Sequence, residues 1–117
     1  MYIVYGIPNC DTVKKAITWL NNHKIPYEFH DYKKQGITAA KLKNWSEQVG
    51  WDTVLNKKST TWRSLTPAVQ ATITNEKAAI KLLVDNTSGI KRPFIEKGGK
   101  VVAVGFDEAN YTKAFKK

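Results

Sequence analysis

The chain has 117 residues, 42% of them hydrophobic, which is enough to form the core of a single domain. Its net charge is +9, but the basic residues are spread along the whole chain, so no direct contact with nucleic acid is expected. No apolar run approaches the roughly 20 residues that cross a bilayer. The N-terminus lacks the pattern of a secretory signal, and the one cysteine cannot form an internal disulfide, so we expect a cytoplasmic protein.

The first third of the chain predicts a strand, a helix and a second strand. Residues 1–5 are apolar and rich in β-forming types, as in a buried strand. In residues 11–22, apolar side chains recur at spacings of three and four, which places them on one face of a helix. Residues 27–32 alternate between apolar and polar types, as a strand does. A strand, helix and strand connected over this length form a βαβ unit with parallel strands.

The middle of the chain, residues 33–86, has no strand pattern and predicts helices. Thr38 and Asn75 are suited to cap two of them, and the polar stretch 56–61 predicts a loop. Farther on, residues 94–104 predict a β-hairpin, because two short apolar runs flank a Gly-Gly pair that suits a tight turn. After it, Asp107 can cap a final helix. We expect this helix to bury one face, made of Ala109 or Tyr111 together with Ala114 and Phe115.

This order of elements, βαβ, a helical block and then ββα, is that of an α/β protein with a thioredoxin-like fold and a mixed four-stranded sheet. We therefore predict one domain over residues 1–117, with a helical subdomain inserted at about 36–88.

Cys10 lies at the predicted junction of the first strand, a turn and the first helix. The free N–H groups and the positive dipole end at a helix N-terminus favour thiolate over thiol. The alternative is that Cys10 packs as a small hydrophobic residue, as most free cysteines do. Its neighbours Asn9 and Asp11 are polar, which favours a reactive role.

Only two of the 19 basic residues, Arg63 and Arg92, are arginines. In a thioredoxin-like fold the loop before the hairpin passes near the reactive cysteine and often carries a cis-proline. Arg92-Pro93 occupies that place, so we expect Arg92 beside Cys10, where its charge favours thiolate and holds an anion. For Arg63 the alternative is a guanidinium stacked on Trp62 at the surface.

Residues 5–16, with the sequence YGIPNCDTVKKA, resemble the opening motif of the arsenate reductase (ArsC)/Spx superfamily. Further motifs, in the expected order, resemble its YffB-like branch, and together they cover nearly the whole chain: Phe29-His30-Asp31-Tyr32-Lys33, Gly50-Trp51, Leu55-Asn56, Thr60-Thr61-Trp62-Arg63, Ile90-Lys91-Arg92-Pro93 and Val104-Gly105-Phe106.

The resemblance implies a thioredoxin-like core, one nucleophilic cysteine and anion-binding arginines. By position, it makes Cys10 the nucleophile and assigns catalytic roles to Arg92 and Arg63. The predicted residues for binding a substrate or anion are Asn9, Thr12, Lys91 and Pro93. No metal is expected, because His23 and His30 do not stand at metal-ligand spacing from Cys10.

Two departures from the family pattern shape the functional prediction. Glutaredoxin-using arsenate reductases carry a third arginine near the last strand, and residues 100–106 contain none. Spx regulators and dithiol reductases have a Cys-x-x-Cys pair, which Cys10 lacks. An outside thiol must therefore complete any redox cycle. We predict a glutathione-dependent thiol/disulfide reductase with glutathione as co-substrate and no tightly bound cofactor.

Three other implications of the resemblance stay open. One is that glutaredoxin serves as a partner. Another is an Spx-like regulator that binds RNA polymerase without turning over a substrate. The third is a true arsenate reductase.

Overall fold

The computed structural model describes residues 1–115. The chain divides into two compact units: one consists of Met1–Gln35 together with the chain from Arg92 onward, and the other is Gly36–Lys91. The predicted single-domain organisation stays a prediction. No helix in residues 1–115 is both long and apolar enough to span a membrane.

The described residues form four strands and eight α-helices. The strands are β1 (Tyr2–Gly6), β2 (Tyr27–Asp31), β3 (Phe94–Lys97) and β4 (Lys100–Val104). The helices are α1 (Asp11–Asn22), α2 (Tyr32–Gln35), α3 (Ala39–Val49), α4 (Trp51–Val54), α5 (Thr60–Arg63), α6 (Pro67–Gln70), α7 (Glu76–Asp85) and α8 (Glu108–Ala114), with a short 3-10 turn at Thr87–Gly89.

The first unit is built on one sheet with the strand order β2-β1-β3-β4. β1 runs parallel to β2 and antiparallel to β3, and β3 runs antiparallel to β4. This is the mixed four-stranded sheet of the predicted α/β, thioredoxin-like fold, which is confirmed. The predicted second strand is one residue too long, because Asp31 accepts the N–H of Lys33 at 2.8 Å and the chain turns into α2 at Tyr32.

One face of this sheet carries the apolar core of the first unit. Side chains from β1, β3, α1, the loop between α1 and β2, and the C-terminal helix region meet there: Val4, Ala16, Trp19, Leu20, Ile25, Ile95, Tyr111 and Phe115. The helix face predicted for α8 is partly wrong. Tyr111 and Phe115 are buried, whereas Ala109 and Ala114 are exposed, because the two aromatic rings fill the space against Trp19.

The hairpin of β3 and β4 turns at Gly98 and Gly99, whose φ angles of +60° and +82° are unfavourable for any residue with a Cβ. Its register shifts between Ile95 and Glu96, so the pairing skips one residue of β4. This β-bulge explains why the apolar residues of β4 are consecutive and do not alternate with polar ones. Val102 and Ala103, although adjacent, both pack against the core.

The second unit is helical and is organised by side-chain caps. Thr38, Ser59, Thr66 and Asn75 each accept a backbone N–H at the start of a helix. The loop predicted at residues 56–61 is wrong in its last part, because the Ser59 hydroxyl caps α5 and starts it at Thr60. α3 packs against α4 and α7, and the buried side chains of these helices include Leu42, Trp45, Val54, Ala79 and Leu83.

Candidate functional site

Cys10 occupies the N-cap position of α1, in an extended conformation, with its side chain half-buried. Its carbonyl accepts the N–H of Lys14 at 2.9 Å and so starts the hydrogen bonding of the helix. The preceding strand reaches this point through Gly6. A Cβ at Gly6 would lie 2.8 Å from Cγ2 of Val13, so only glycine lets the end of β1 approach α1 this closely. The local sequence therefore fixes the thiol at the tip of the helix.

Arg92 is brought to Cys10 by the segment that leads into β3. The Arg92–Pro93 peptide bond is cis, as expected. Pro93 is buried, and its carbonyl accepts the N–H of Gly105 at 2.8 Å, which ties this segment to the end of β4. The half-buried Arg92 side chain donates a hydrogen bond to the Cys10 sulfur.

The surroundings of Cys10 favour its ionised form. Partial burial acts to raise the pKa of the thiol. The backbone N–H of Val13 and the Arg92 guanidinium act to lower this pKa as hydrogen-bond donors, and the positive charge of Arg92 lowers it further. The N–H of Thr12 acts in the same direction. The donors and the charge outweigh burial, so the pKa of Cys10 lies below its ordinary value.

The other residues predicted for the site fall into two groups. In the first unit, Asn9 and Thr12 have exposed side chains, and Thr12 acts on the sulfur through its backbone. Arg63 and Lys91 belong to the second unit. Arg63 is exposed at the end of α5, and Lys57 lies over the Trp62 ring, with Nζ 5.5 Å from the ring centroid.

Lys91 lines a cavity of about 340 Å³ within the second unit. Its backbone N–H donates to the carbonyl of Val54 at 2.8 Å, which fixes the residue against the end of α4. The lining also contains Lys57 and Lys58 together with one acidic residue, Asp52. The lysine charges make this cavity suited to an anionic group.

A buried polar cluster that the sequence did not indicate lies on the sheet face opposite the apolar core of the first unit. The Tyr5 hydroxyl donates to Oε1 of Glu96 at 2.8 Å, and both residues are buried. Tyr5 also packs against His30 and Tyr32, with ring centroids 4.6 Å and 6.4 Å away. Burial raises the pKa of Tyr32, while the charge of Arg92 acts to lower it. The sequence around Glu96 does not indicate this contact, because its partner Tyr5 is 91 residues away in the chain.

The site offers thiol chemistry. In residues 1–115 no group of three or more His, Cys, Asp or Glu side chains is arranged to hold a metal ion. A cysteine with a lowered pKa and an adjacent guanidinium can attack an electrophilic sulfur or bind an oxyanion.

Comparison with known proteins gives the family of the chain. The model of the ArsC family matches residues 5–114, which is nearly the whole chain. The chain belongs to the ArsC family. The ArsC match includes both Cys10 and Arg92.

Two solved structures of related proteins share the ArsC chain's fold. A protein named YffB is 47% identical, with a TM-score of 0.90 over 97% of this chain and 98% of that one. An arsenate reductase (ArsC) related protein from Brucella melitensis is 42% identical, with a TM-score of 0.78 over 99% and 95% of the two chains. Among curated relatives, the global transcriptional regulator Spx 1 of Lactococcus lactis is 26% identical over 92% of this chain and 84% of its own length.

Proposed function

We propose that this protein is a thiol-dependent reductase in which Cys10 is the nucleophile and glutathione is the second thiol. The observation that carries the proposal is the arrangement at Cys10, where an arginine and two backbone N–H groups favour the thiolate. A residue that only filled space would gain nothing from these donors. Membership of the ArsC family supports thiol chemistry at this position.

The proposed reaction has two steps and balances without a metal or a flavin. The Cys10 thiolate attacks the glutathione sulfur of a mixed disulfide, and the substrate sulfur leaves as a thiolate that takes up a proton. A second glutathione thiolate then attacks the Cys10–glutathione disulfide and releases oxidised glutathione and the Cys10 thiolate. In sum, the mixed disulfide and one free glutathione become the free substrate thiol and oxidised glutathione. The chain's single cysteine makes an internal second step impossible.

The remaining predicted site residues have proposed roles in binding. Arg92 and Arg63 hold the glutathione carboxylates, and Lys91 adds a positive charge for binding an anion. Asn9, Thr12 and Pro93 form the polar and steric surroundings of the bound tripeptide. Glutaredoxin is an alternative second thiol for the same Cys10 intermediate. A glutathione-rich, reducing compartment such as the cytoplasm suits this cycle.

The test is a disulfide reduction assay in which glutathione is the reductant and glutathione reductase recycles it at the expense of NADPH. Mass spectrometry of the intact protein accompanies it. The wild-type chain is expected to consume NADPH with a low-molecular-weight disulfide and to gain one glutathione on oxidation. Cys10→Ser abolishes both signals, whereas Ser46→Ala, a control at a buried polar residue of α3, preserves both. Full NADPH consumption by Cys10→Ser would disprove the role of Cys10.

A regulator that binds RNA polymerase is the second candidate, and the similarity to Spx 1 favours it. The two functions differ in an observable way. A reductase consumes glutathione in the absence of any macromolecule, whereas a regulator of this kind captures polymerase subunits and turns over nothing. Capture of purified polymerase on the immobilised protein, with no activity in the coupled assay, would favour the regulator.

Reduction of arsenate is a third candidate, supported by the arsenate reductase (ArsC) related protein of Brucella melitensis. We place it behind disulfide reduction because residues 100–106 contain no arginine to hold the oxyanion. The assay is arsenate-dependent oxidation of NADPH in the presence of glutathione, glutaredoxin and glutathione reductase.

A further inference from the structure

A groove on the first unit runs along α1. Its volume is about 380 Å³. The helix lines it with side chains whose spacing places them next to one another: Lys14, Lys15, Thr18, Trp19 and Asn22. Trp19 is buried and the others are exposed. The groove is therefore open to solvent along the helix and has an aromatic side chain at its base.

The groove is connected to the candidate site on both of its sides. Phe106, which is half-buried, lines it from the segment that follows β4. The residue before it, Gly105, donates its N–H to the carbonyl of Pro93 at 2.8 Å, and Pro93 follows Arg92, the donor to the Cys10 sulfur. The other side is α1 itself, which begins immediately after Cys10. A molecule that reacts with Cys10 can thus extend into the groove.

The groove carries a net positive charge near the thiol. Lys14 and Lys15 follow Cys10 by four and five residues, and Glu108, an exposed residue in the first turn of α8, is the acidic side chain of the lining. Cations stabilise a helix at its last turn, and in α1, every residue of which is described, the last turn has no basic residue. The stability of α1 therefore does not explain the two lysines, whereas an anionic partner does.

The groove extends beyond the reach of glutathione. At about 1.5 Å per residue, Lys14 lies about 6 Å and Trp19 about 13 Å farther along the helix axis than Cys10. A tripeptide spans at most about 10 Å. A longer extended chain, at about 3.3 Å per residue, reaches Lys14 with its second residue and Trp19 with its fourth. Side chains two and four residues along an extended chain share one face, so both can enter the groove.

We propose that this groove binds the polypeptide chain of a protein substrate whose cysteine is in mixed disulfide with glutathione. An acidic side chain two residues from that cysteine meets Lys14 and Lys15, and an apolar side chain four residues away packs between Trp19 and Phe106. The proposal rests on the proposed function and names its substrate class. The groove residues determine specificity and take no part in the exchange of bonds.

The reaction is that of the proposed cycle, with the substrate thiol supplied by a protein. The Cys10 thiolate attacks the glutathione sulfur, the bond to the substrate cysteine breaks, and the substrate sulfur leaves with the electron pair and takes up a proton. A free glutathione thiolate then attacks the Cys10–glutathione disulfide and releases oxidised glutathione. Binding of the flanking residues raises the local concentration of the disulfide at Cys10 and so lowers the KM.

The first experiment compares two glutathionylated peptides in the NADPH-coupled assay. In one, glutamate stands two residues and leucine four residues from the cysteine on both sides, so that chain direction does not matter. In the other, the glutamates and leucines exchange places, which keeps charge and composition. The wild-type chain is expected to prefer the first peptide by roughly fivefold in kcat/KM, mainly through KM. Equal values for the two peptides overturn the proposal.

A charge reversal tests the lysines. The double variant Lys14→Glu/Lys15→Glu is expected to raise the KM for the first peptide by roughly tenfold, because two exposed ion pairs become repulsive contacts. A version of that peptide with lysine in place of glutamate then becomes the better substrate. The matched control is Lys33→Glu/Lys34→Glu, an exposed lysine pair of α2 in the same unit, which retains the wild-type preference. Equal effects of the two double variants overturn the proposal, since overall charge would then explain the attraction.

A filled groove tests the apolar contact. Thr18 is exposed, and the ring in Thr18→Tyr occupies the groove beside Trp19. In the wild-type chain, replacing the peptide leucines by serine is expected to raise the KM by roughly threefold to fivefold. In Thr18→Tyr this difference is expected to disappear, while the preference for glutamate at the second position remains. A leucine effect that persists in Thr18→Tyr shows that the leucine binds elsewhere and overturns the proposal.

A binding measurement separates this inference from the proposed function. A fluorescent peptide of the first sequence, with serine in place of cysteine, is followed by fluorescence anisotropy. It is expected to bind the wild-type chain roughly tenfold more tightly than Lys14→Glu/Lys15→Glu, and equal affinities overturn the proposal. Thermal unfolding establishes that each variant is folded. Groove-dependent binding without turnover of any disulfide would refute the reductase and leave a peptide-binding groove. Turnover of both glutathionylated peptides at equal rates would refute the groove and leave the reductase.

Discussion

The backbone of Gly6 lies so close to Val13 that a Cβ at residue 6 would be 2.8 Å from Cγ2 of the valine. Gly6→Ala is therefore expected to force the end of β1 and the start of α1 apart and to cost about 1–3 kcal/mol of unfolding free energy. Urea denaturation measures this cost. In a Val13→Ala background the same change is expected to cost less, because the clashing methyl group is gone. Equal losses of unfolding free energy in the two backgrounds would show that the contact with Val13 is not the reason why residue 6 must be glycine.

The contact between Arg92 and Cys10 predicts a change in the ionisation of the thiol. Arg92→Ala removes a hydrogen-bond donor and a positive charge, both of which lower the pKa of Cys10. We expect the midpoint of the iodoacetamide profile to rise toward that of an unperturbed cysteine, about 8.5. Arg92→Lys keeps the charge and is expected to give an intermediate midpoint. Lys100→Ala, which removes an exposed charge from the same hairpin, serves as the control and leaves the profile in place.

Arg63 is expected to affect substrate binding and not the thiol. If Arg63 binds a glutathione carboxylate, Arg63→Ala raises the KM for a glutathione mixed disulfide by about twofold to fivefold, the loss of one exposed ion pair. The alkylation profile of Cys10 stays in place. Lys81→Ala, at an exposed lysine of α7, controls for the loss of charge in the second unit. Unchanged kinetics in Arg63→Ala would remove this arginine from the proposed binding role.

Three buried tyrosines predict a loss of stability at alkaline pH. Burial raises the pKa of Tyr5, Tyr32 and Tyr111, so each hydroxyl stays protonated in the fold after the same group has ionised in the unfolded chain. Above about pH 10 the unfolded state has therefore lost protons that the native state retains, and the free energy of unfolding falls as pH rises. We expect Tm to drop beyond about pH 10.

The contribution of one tyrosine can be isolated. Tyr111→Phe removes a hydroxyl that donates to the carbonyl of Gly105, so Tm falls at neutral pH. The same variant is expected to lose less stability between pH 9 and 11 than the wild-type chain does. Parallel losses in the two proteins would contradict the assignment of the alkaline transition to Tyr111.

The sequence predicted the elements that local chemistry defines. The limits of α1 followed from apolar spacing, and the caps Thr38 and Asn75 followed from residue type. The cis bond before Pro93 was predicted through topology, since only the thioredoxin-like order of elements places that segment beside Cys10.

Contacts between distant residues were beyond sequence reasoning. The carboxylate of Glu96 is buried by pairing with a hydroxyl 91 residues away, and nothing within its own strand indicates this. The face that predicts α1 consists of Val13, Ala16, Ile17 and Leu20. Trp19 lies outside it, yet Trp19 is only 7% exposed, because aromatic rings of the C-terminal helix region pack against it. Spacing along one element cannot reveal which surface a neighbouring element will cover.

The β-bulge between β3 and β4 separates the two ends of the hairpin. At the base of the hairpin, the carbonyl of Pro93 accepts a hydrogen bond from the N–H of Gly105. Between this base and the glycine turn, the bulge leaves one residue of β4 unpaired. Changes of length at the tip, Lys97 to Lys100, can thus be taken up without transmission to the base. The tip is consequently the place to graft an affinity tag or a fluorophore while leaving the thiol chemistry undisturbed.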